Sequence, residues 1–247
     1  MSKNIFILSE RRTGSNYLCD TFTYYDNVRV MNELFNRLNK VEKFEDVYDN
    51  EHEMLYKFFK VSTFDSLVNA FLSNPQKSLT FLSGIIPCYK LIKIQDDQLK
   101  EFKLNFIFDE EDSFFIVLKR QQKIYQYVSD IISEKTKQWH SVDTSDVTIT
   151  VDRRNFELWL ERSNNYYNEI TSILRDRNID FLSLTYENDI GHNVDRLLEK
   201  IETWAVNNDL NLIRKANNDG YISVIKQNKR DILNIVKNYK EIEDLVV

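Results

Sequence analysis

Two groups of side chains in this sequence could bind an anion. The first group follows the apolar run 5–8 and consists of Arg11, Arg12, Thr13, Gly14, Ser15 and Asn16. The second is Arg120, which lies just after the segment 113–118, apolar except for Ser113, together with Ser129 nine residues later. A guanidinium fork beside a hydroxyl group suits a phosphate ester, and a glycine lets the backbone approach a ligand closely. Either group alone is also what an ordinary strand-to-helix turn with surface arginines would contain.

The backbone around Gly14 offers a second means of holding an anion. Tyr17, Leu18 and Phe22 have helical spacing, so the turn leads into a helix whose first N–H groups lack partners within the helix. These N–H groups and the helix dipole favour negative charge. A Walker A loop would need a longer glycine-spaced run that ends in Gly-Lys-Ser/Thr. The loop has no such ending, so a magnesium–ATP site is not expected.

Apolar patterns predict the elements that must position these groups. Residues 5–8 are apolar throughout and 113–118 are apolar after Ser113, as in strands that are buried on both faces. Helical spacing follows each of them, and Asp152 is placed to cap a further long helix. Three other strands are predicted near residues 28–31, 85–94 and 179–184. A short helix over 95–102 and a charged helix from Lys229 to about Glu243 complete the pattern.

The order of these elements indicates the fold class. Strands that alternate with helices predict an α/β fold with a mostly parallel central sheet flanked by helices. Ligands bind at the carboxyl ends of the strands in such sheets. The turn after Leu8, the turn after Leu118 and the segment after Val30 should therefore share one edge, as a nucleotide-type site requires. We expect a single domain over 1–247 that contains an aromatic-rich helical insert at about 36–80.

Composition excludes several classes of function. The chain has 247 residues, 42% of them hydrophobic, and a net charge of −6, which gives no general attraction for nucleic acid or an anionic membrane. No apolar run approaches the length of a membrane span, and no targeting segment is visible, so we expect a soluble, cytoplasmic protein. Cys19 and Cys88 give no disulfide framework, and no His/Cys/Asp/Glu grouping has metal-ligand spacing.

Several ordered blocks resemble the PAPS-dependent sulfotransferases, where PAPS is 3′-phosphoadenosine 5′-phosphosulfate. Arg-Thr-Gly-Ser-x-x-Leu at 12–18 resembles the 5′-phosphosulfate loop of that family, and 114–120 with Ser129 resembles its 3′-phosphate site. Leu-Thr-Tyr-Glu-Asn at 184–188 resembles a signature found late in these chains. The bacterial trehalose-sulfotransferase branch is the most similar. Its loop also reads Arg-Thr-Gly-Ser, and its arginine helix also continues as here through Gln126, Val128, Ser129 and Trp139.

The resemblance implies transfer of a sulfuryl group from PAPS to an acceptor hydroxyl, with release of adenosine 3′,5′-bisphosphate and without a metal. It implies a P-loop-like sulfotransferase fold. Arg12 would stabilise the leaving group, and the backbone of Thr13, Gly14, Ser15 and Asn16, with the Ser15 hydroxyl, would hold the phosphosulfate. Arg120 and Ser129 would hold the 3′-phosphate. Glu33 matches the glutamate that serves as the base in the trehalose-type branch, although a carboxylate at a helix start is its other interpretation.

The sequence leaves the acceptor and two rival functions open. A hydroxyl of a small saccharide or glycolipid is favoured as the acceptor over a polyketide, a lipid or a peptide tyrosine, and the insert at 36–80 would shape its pocket. Asn16 stands where relatives often have Thr or Ser. Contacts of Trp139, His140 and Lys226 with ligand, and a homodimer, stay undecided. The rivals are a P-loop-type nucleotide kinase and a non-catalytic nucleotide-binding protein that retains the fold.

Overall fold

The computed structural model describes residues 3–35, 57–86, 88–137, 147–190, 193–216, 220, 222 and 232–245, and every structural statement below refers to these residues. They contain one five-stranded sheet in the order β2-β3-β1-β4-β5, in which every neighbouring pair is parallel. The strands are β1 Asn4–Ser9, β2 Val28–Asn32, β3 Tyr89–Gln95, β4 Ser113–Lys119 and β5 Phe181–Thr185. The predicted α/β fold with a parallel sheet is confirmed.

Helices flank this sheet. The α-helices are α1 Ser15–Thr21, α2 Phe64–Ser73, α3 Pro75–Ile85, α4 Asp96–Glu101, α5 Lys123–Thr136, α6 Arg153–Asp176, α7 Tyr186–Asp189, α8 Val194–Asn207 and α9 Tyr239–Ile242. Short 3₁₀ turns occupy Phe22–Tyr24, Leu104–Asp109, Ile232–Ile235 and Glu243–Leu245. The predicted cap of the long helix α6 is present, because the Asp152 side chain accepts a hydrogen bond of 2.8 Å from Asn155 N.

The two faces of the sheet pack against different helices. Along β1, Phe6 and Leu8 belong to a core that includes residues of α2, α3 and α6. Ile5 and Ile7 belong to a second core with residues of α1 and α8. Alternate side chains of a strand point to opposite faces, so a strand in the middle of such a sheet must be apolar on both. The central position of β1 therefore explains why it could be recognised from its unbroken apolar run.

The start of β3 differs from the prediction of a strand over 85–94. Ile85 is the last residue of α3, and Ile86 N still donates a hydrogen bond of 2.9 Å to Leu82 O. The strand begins only at Tyr89 and ends at Gln95. An apolar run gives no sign of where a buried helix ends and a buried strand begins, because both need apolar residues.

The C-terminal segment is not the single helix predicted from Lys229 to about Glu243, of which 229–231 lie outside the described residues. Ile149 N donates to Ile235 O at 3.0 Å, and Lys237 N donates to Ile149 O at 2.8 Å. These bonds form a parallel bridge between Ile149 and Val236. They engage backbone groups that a continuous helix would need for its own hydrogen bonds, so α9 is confined to four residues.

The predicted insert at 36–80 is described only from residue 57 onward, where α2 and the first part of α3 lie. Within the described residues, no helix combines the length and the apolar character that crossing a membrane would require.

Candidate functional site

The loop between β1 and α1 has an unusual backbone. Arg12 has a φ of 62° and Gly14 a φ of 83°, so both are in the left-handed region. Thr13 between them is fully buried, and its Oγ1 donates a hydrogen bond of 2.9 Å to Glu10 O. α1, which begins at Ser15, has only seven residues. The dipole of so short a helix is small, so any anion binding here depends on the first backbone N–H groups and on the side chains of this loop.

Gly14 is required by packing as well as by its conformation. A Cβ atom at this position would lie 2.8 Å from Ile190 Cγ2 and 2.8 Å from Tyr186 Cδ2. A side chain in the left-handed region is itself strained. Gly14 therefore allows the segment that follows β5 to approach the loop closely.

The two groups of candidate anion-binding residues meet at the carboxyl edge of the sheet. Arg12 Nε donates to Ser129 Oγ at 2.9 Å, although 117 positions separate the two residues. Arg120 Nη1 donates to Arg12 O at 3.2 Å. The guanidinium carbon of Arg120 lies 4.4 Å from the centroid of the Tyr186 ring. We call Arg12, Arg120, Ser129 and Tyr186 the arginine cluster.

Both guanidinium groups of the arginine cluster are held in surroundings that disfavour their charge. Burial is the main reason that the pKa of Arg12 is lowered to about 10; the charge of Arg120 acts in the same direction, and Asp130 opposes both. Burial also lowers the pKa of Arg120. Arg120 Nε is buried and has no hydrogen-bond partner in the described part of the chain, where the nearest carboxylate oxygen, Glu187 Oε1, is 4.0 Å away. Such an arrangement favours a bound anion that supplies the missing acceptor.

Glu33 follows the irregular end of β2. The pairing of β2 with β3 shifts register between Val30 and Asn32, and Asn32 has a φ of 48°. Glu33 Oε1 lies 2.6 Å from Lys93 Nζ and accepts a hydrogen bond of 3.1 Å from Gln95 Nε2. The side chain of Glu33 is 12% exposed and that of Lys93 only 2%.

Lys93 connects Glu33 with the loop after β1. Its ammonium group contacts Glu33 Oε1 and also donates to Asn16 Oδ1. Sequence reasoning did not select Lys93, because a lysine among the apolar residues of the strand Tyr89–Gln95, which also contains Lys90, gives no indication of its partners. Its alternation with Ile92 and Ile94, which pack in the opposite core, was the available signal that it lies on the face of α1.

A buried polar network supports the loop from behind, and sequence reasoning did not predict it. Glu10 Oε2 accepts hydrogen bonds from Ser163 Oγ at 2.7 Å, Gln126 Nε2 at 3.1 Å and Lys123 Nζ at 3.2 Å. Gln126 Nε2 also donates to Arg11 O at 2.8 Å. We call Glu10, Lys123, Gln126 and Ser163 the Glu10 network. It attaches the loop after β1 to α5 and α6.

Some of the other predicted site residues lie in the described part of the chain and others lie outside it. Ser15 is buried at the first position of α1, whereas the Thr13 hydroxyl and the Asn16 amide oxygen already have protein partners. Trp139, His140 and Lys226 lie outside the described residues. No group of three or more His, Cys, Asp or Glu residues that could hold a metal occurs in the described part of the chain.

No protein-family model matches the chain, and no curated protein matches it.

Proposed function

We propose that this protein is a PAPS-dependent sulfotransferase with a P-loop-like sulfotransferase fold. The observation that carries the proposal is the arginine cluster, in which the largely buried Arg12 and Arg120 lie together and Arg120 keeps a donor that has no partner among the described residues. Such a site suits a ligand with separate negative groups. PAPS carries a phosphosulfate and a distinct 3′-phosphate, so it offers one negative group to Arg12 and another to Arg120.

The proposed reaction at this site is an in-line displacement at sulfur. An oxygen of the acceptor hydroxyl forms a bond to sulfur while the bond between sulfur and the bridging oxygen breaks. The electron pair of that bond stays on the 5′-phosphate of the leaving nucleotide, and the hydroxyl proton passes to a base. Positioning and stabilisation of the charge on the leaving oxygen supply most of the catalysis in such transfers. Arg12 is the residue proposed to stabilise that charge.

Glu33 is the proposed base. Its ion pair with Lys93 favours the ionised carboxylate, which is the form that accepts a proton, but also weakens it as a base. Partial burial acts in the opposite direction. Lys93 also contacts Asn16, so one ammonium group links the proposed base to the loop that would hold the phosphosulfate. We expect the proton to transfer as the bond to sulfur forms.

The resemblance favours a hydroxyl of a saccharide or glycolipid as the acceptor. A screen of such acceptors for incorporation of labelled sulfate from PAPS is the direct assay. Glu33→Gln should bind adenosine 3′,5′-bisphosphate as the wild type does and lose transfer. A variant with retained turnover would exclude Glu33 as the base.

Titration calorimetry with adenosine 3′,5′-bisphosphate and ADP tests the donor before any acceptor is known. We expect the bisphosphate to bind more tightly, without magnesium, because Arg120 and Ser129 contact its 3′-phosphate. Arg120→Met should remove at least about tenfold of that preference. Arg153→Met is the matched control, because Arg153 pairs with Asp244 on an exposed surface remote in sequence.

The rival functions predict different titrations. A nucleotide kinase would bind ADP as well as the bisphosphate, with dependence on magnesium, and this outcome would overturn the proposal. A non-catalytic protein would bind the bisphosphate and release no product with any acceptor in the screen.

A further inference from the structure

The short helix α7, directly after β5, lies against Arg120 and against Gly14 of the loop after β1. The Tyr186 ring lies against the Arg120 guanidinium and against Gly14. The next residue, Glu187, reaches the turn that follows β4. Its Oε2 accepts a hydrogen bond from Gln121 N and its Oε1 one from Gln122 N, both at 2.9 Å. One carboxylate therefore binds two consecutive N–H groups immediately after Arg120.

We infer that Glu187 is a positioning residue that sets the specificity of the Arg120 site for a 3′-phosphate. This inference rests on the proposed function, because it names how the same site selects its nucleotide. Arg120 is followed by residues outside any helix or strand until α5 begins at Lys123. Without the two bonds to Glu187, nothing else in the described residues ties the N–H groups of Gln121 and Gln122. The direction of the Arg120 side chain would then vary.

The contacts of Arg120 fit a positioned group better than a structural ion pair. Its closest approach to Glu187 is 4.0 Å from Nε to Oε1, beyond hydrogen-bond range. Both Glu187 oxygens are used by backbone N–H groups. Glu187 thus partly neutralises Arg120 and fixes its backbone, while the donors of the guanidinium remain for a ligand. The only hydrogen bond that the Arg120 guanidinium donates to the described residues is the one from Nη1 to Arg12 O.

The same helix offers a matched control. Asp189 Oδ2 accepts a hydrogen bond of 2.7 Å from Thr185 N, and its Oδ1 is paired with Lys200. Asp189 therefore stabilises α7 itself, and among the described residues it forms no hydrogen bond or ion pair with the turn after β4. Asp189→Asn should lower stability without changing nucleotide preference, whereas Glu187→Ala should change the preference.

The experiment measures the ratio of the dissociation constants for ADP and adenosine 3′,5′-bisphosphate in the full chain. We expect Glu187→Ala to reduce this ratio about tenfold and Glu187→Gln, which keeps one acceptor oxygen, by less. Asp189→Asn should leave the ratio unchanged. In Arg120→Met, adding Glu187→Ala should cause no further loss, because Glu187 acts through Arg120. Thermal unfolding of each variant shows that the comparison is made on folded protein.

The outcomes separate the inference from the function on which it rests. A wild-type protein that binds ADP and the bisphosphate equally would overturn the proposed function and this inference with it. A wild-type preference that survives Glu187→Ala, with Glu187→Gln equally unaffected, would overturn the inference alone. A further loss when Glu187→Ala is added to Arg120→Met would show that Glu187 acts by another route and would also overturn it.

Discussion

The Glu10 network and the arginine cluster lie at the same edge of the sheet, and each buries charged groups. In the Glu10 network one carboxylate accepts three hydrogen bonds, including one from the cationic Lys123. In the arginine cluster two cations lie together, and Arg120 Nε has no partner. A buried charge with complete partners supports a fold, whereas a buried donor without one costs stability. The first region therefore holds the loop after β1, whereas for the second we propose an anionic ligand.

This difference tells how a buried charge should be interpreted. Both regions contain cations whose pKa is lowered by burial, since this holds for Lys123 as well as for Arg12 and Arg120. A lowered pKa alone therefore does not identify a functional residue. The distance to the nearest opposite charge distinguishes the two cases. Lys123 has Glu10 at 3.2 Å, whereas the nearest carboxylate to Arg120 among the described residues is at 4.0 Å.

The largest expected effect is on the stability of the Glu10 network. Glu10→Ala leaves Lys123 buried without its carboxylate, which should lower the free energy of unfolding by about 3–5 kcal/mol. Urea unfolding measures the change. Asp97→Ala is the control, because it removes an ion pair of similar geometry with Arg11 at the same edge of the sheet, but one that is exposed. That variant should cost about 1 kcal/mol or less. Equal losses in the two variants would contradict the structural role of the Glu10 network.

The fold could be predicted further from the sequence than the site. β1 and β4 were recognisable because central strands of a parallel sheet are apolar on both faces. The end of α3 and the bridge between Ile149 and Val236 were not, because tertiary partners decide between helix and extended backbone there. Helical spacing over 229–243 describes a local preference that a distant backbone partner overrides.

Only those residues of the candidate site that belong to short sequence motifs could be selected from the sequence. The loop after β1, Arg120 and Ser129 were selected from short patterns, and the parallel sheet brings them together. Glu10 and Lys93 were missed, because their partners lie at distant positions in the chain that no local spacing indicates. Glu187 belonged to a recognised block, but its hydrogen bonds to Gln121 N and Gln122 N follow only from the structure.

A smaller effect is expected from Asp130, which follows Ser129 on α5. Burial raises its pKa to about 6, opposed by Arg11 and Arg12 and reinforced by Glu134 and Glu10. Because the folded state binds this proton more tightly than the unfolded state, the contribution of Asp130 is complete below about pH 4 and is lost as the pH rises through about 6. Asp130→Asn removes this dependence. It should raise the free energy of unfolding by about 1–2 kcal/mol at neutral pH and leave it unchanged near pH 4.

Urea unfolding at the two pH values measures this effect of Asp130→Asn. Asp176→Asn, at an exposed position of α6, is the control and should show little change at either pH. A loss of stability in Asp130→Asn at neutral pH would mean that the arginines stabilise the Asp130 carboxylate more than burial penalises it. Asp130 would then neutralise more of the positive charge beside the arginine cluster than the contacts of that cluster indicate.

The smallest expected effect is the most informative about the arginine cluster. Arg120→Met should change the free energy of unfolding by less than about 1 kcal/mol in the absence of nucleotide. The substitution removes a costly buried cation and keeps an apolar contact with Tyr186.

Lys123→Met is the matched variant in the Glu10 network and should cost about 3–5 kcal/mol, because it leaves Glu10 buried without its cation. Urea unfolding of both variants compares the two regions directly. If Arg120→Met cost as much as Lys123→Met, Arg120 would be a structural cation, and the main ground for an anion site would be lost. If it costs little and abolishes the preference for adenosine 3′,5′-bisphosphate, then the cation is retained for its ligand, because the fold alone does not need it.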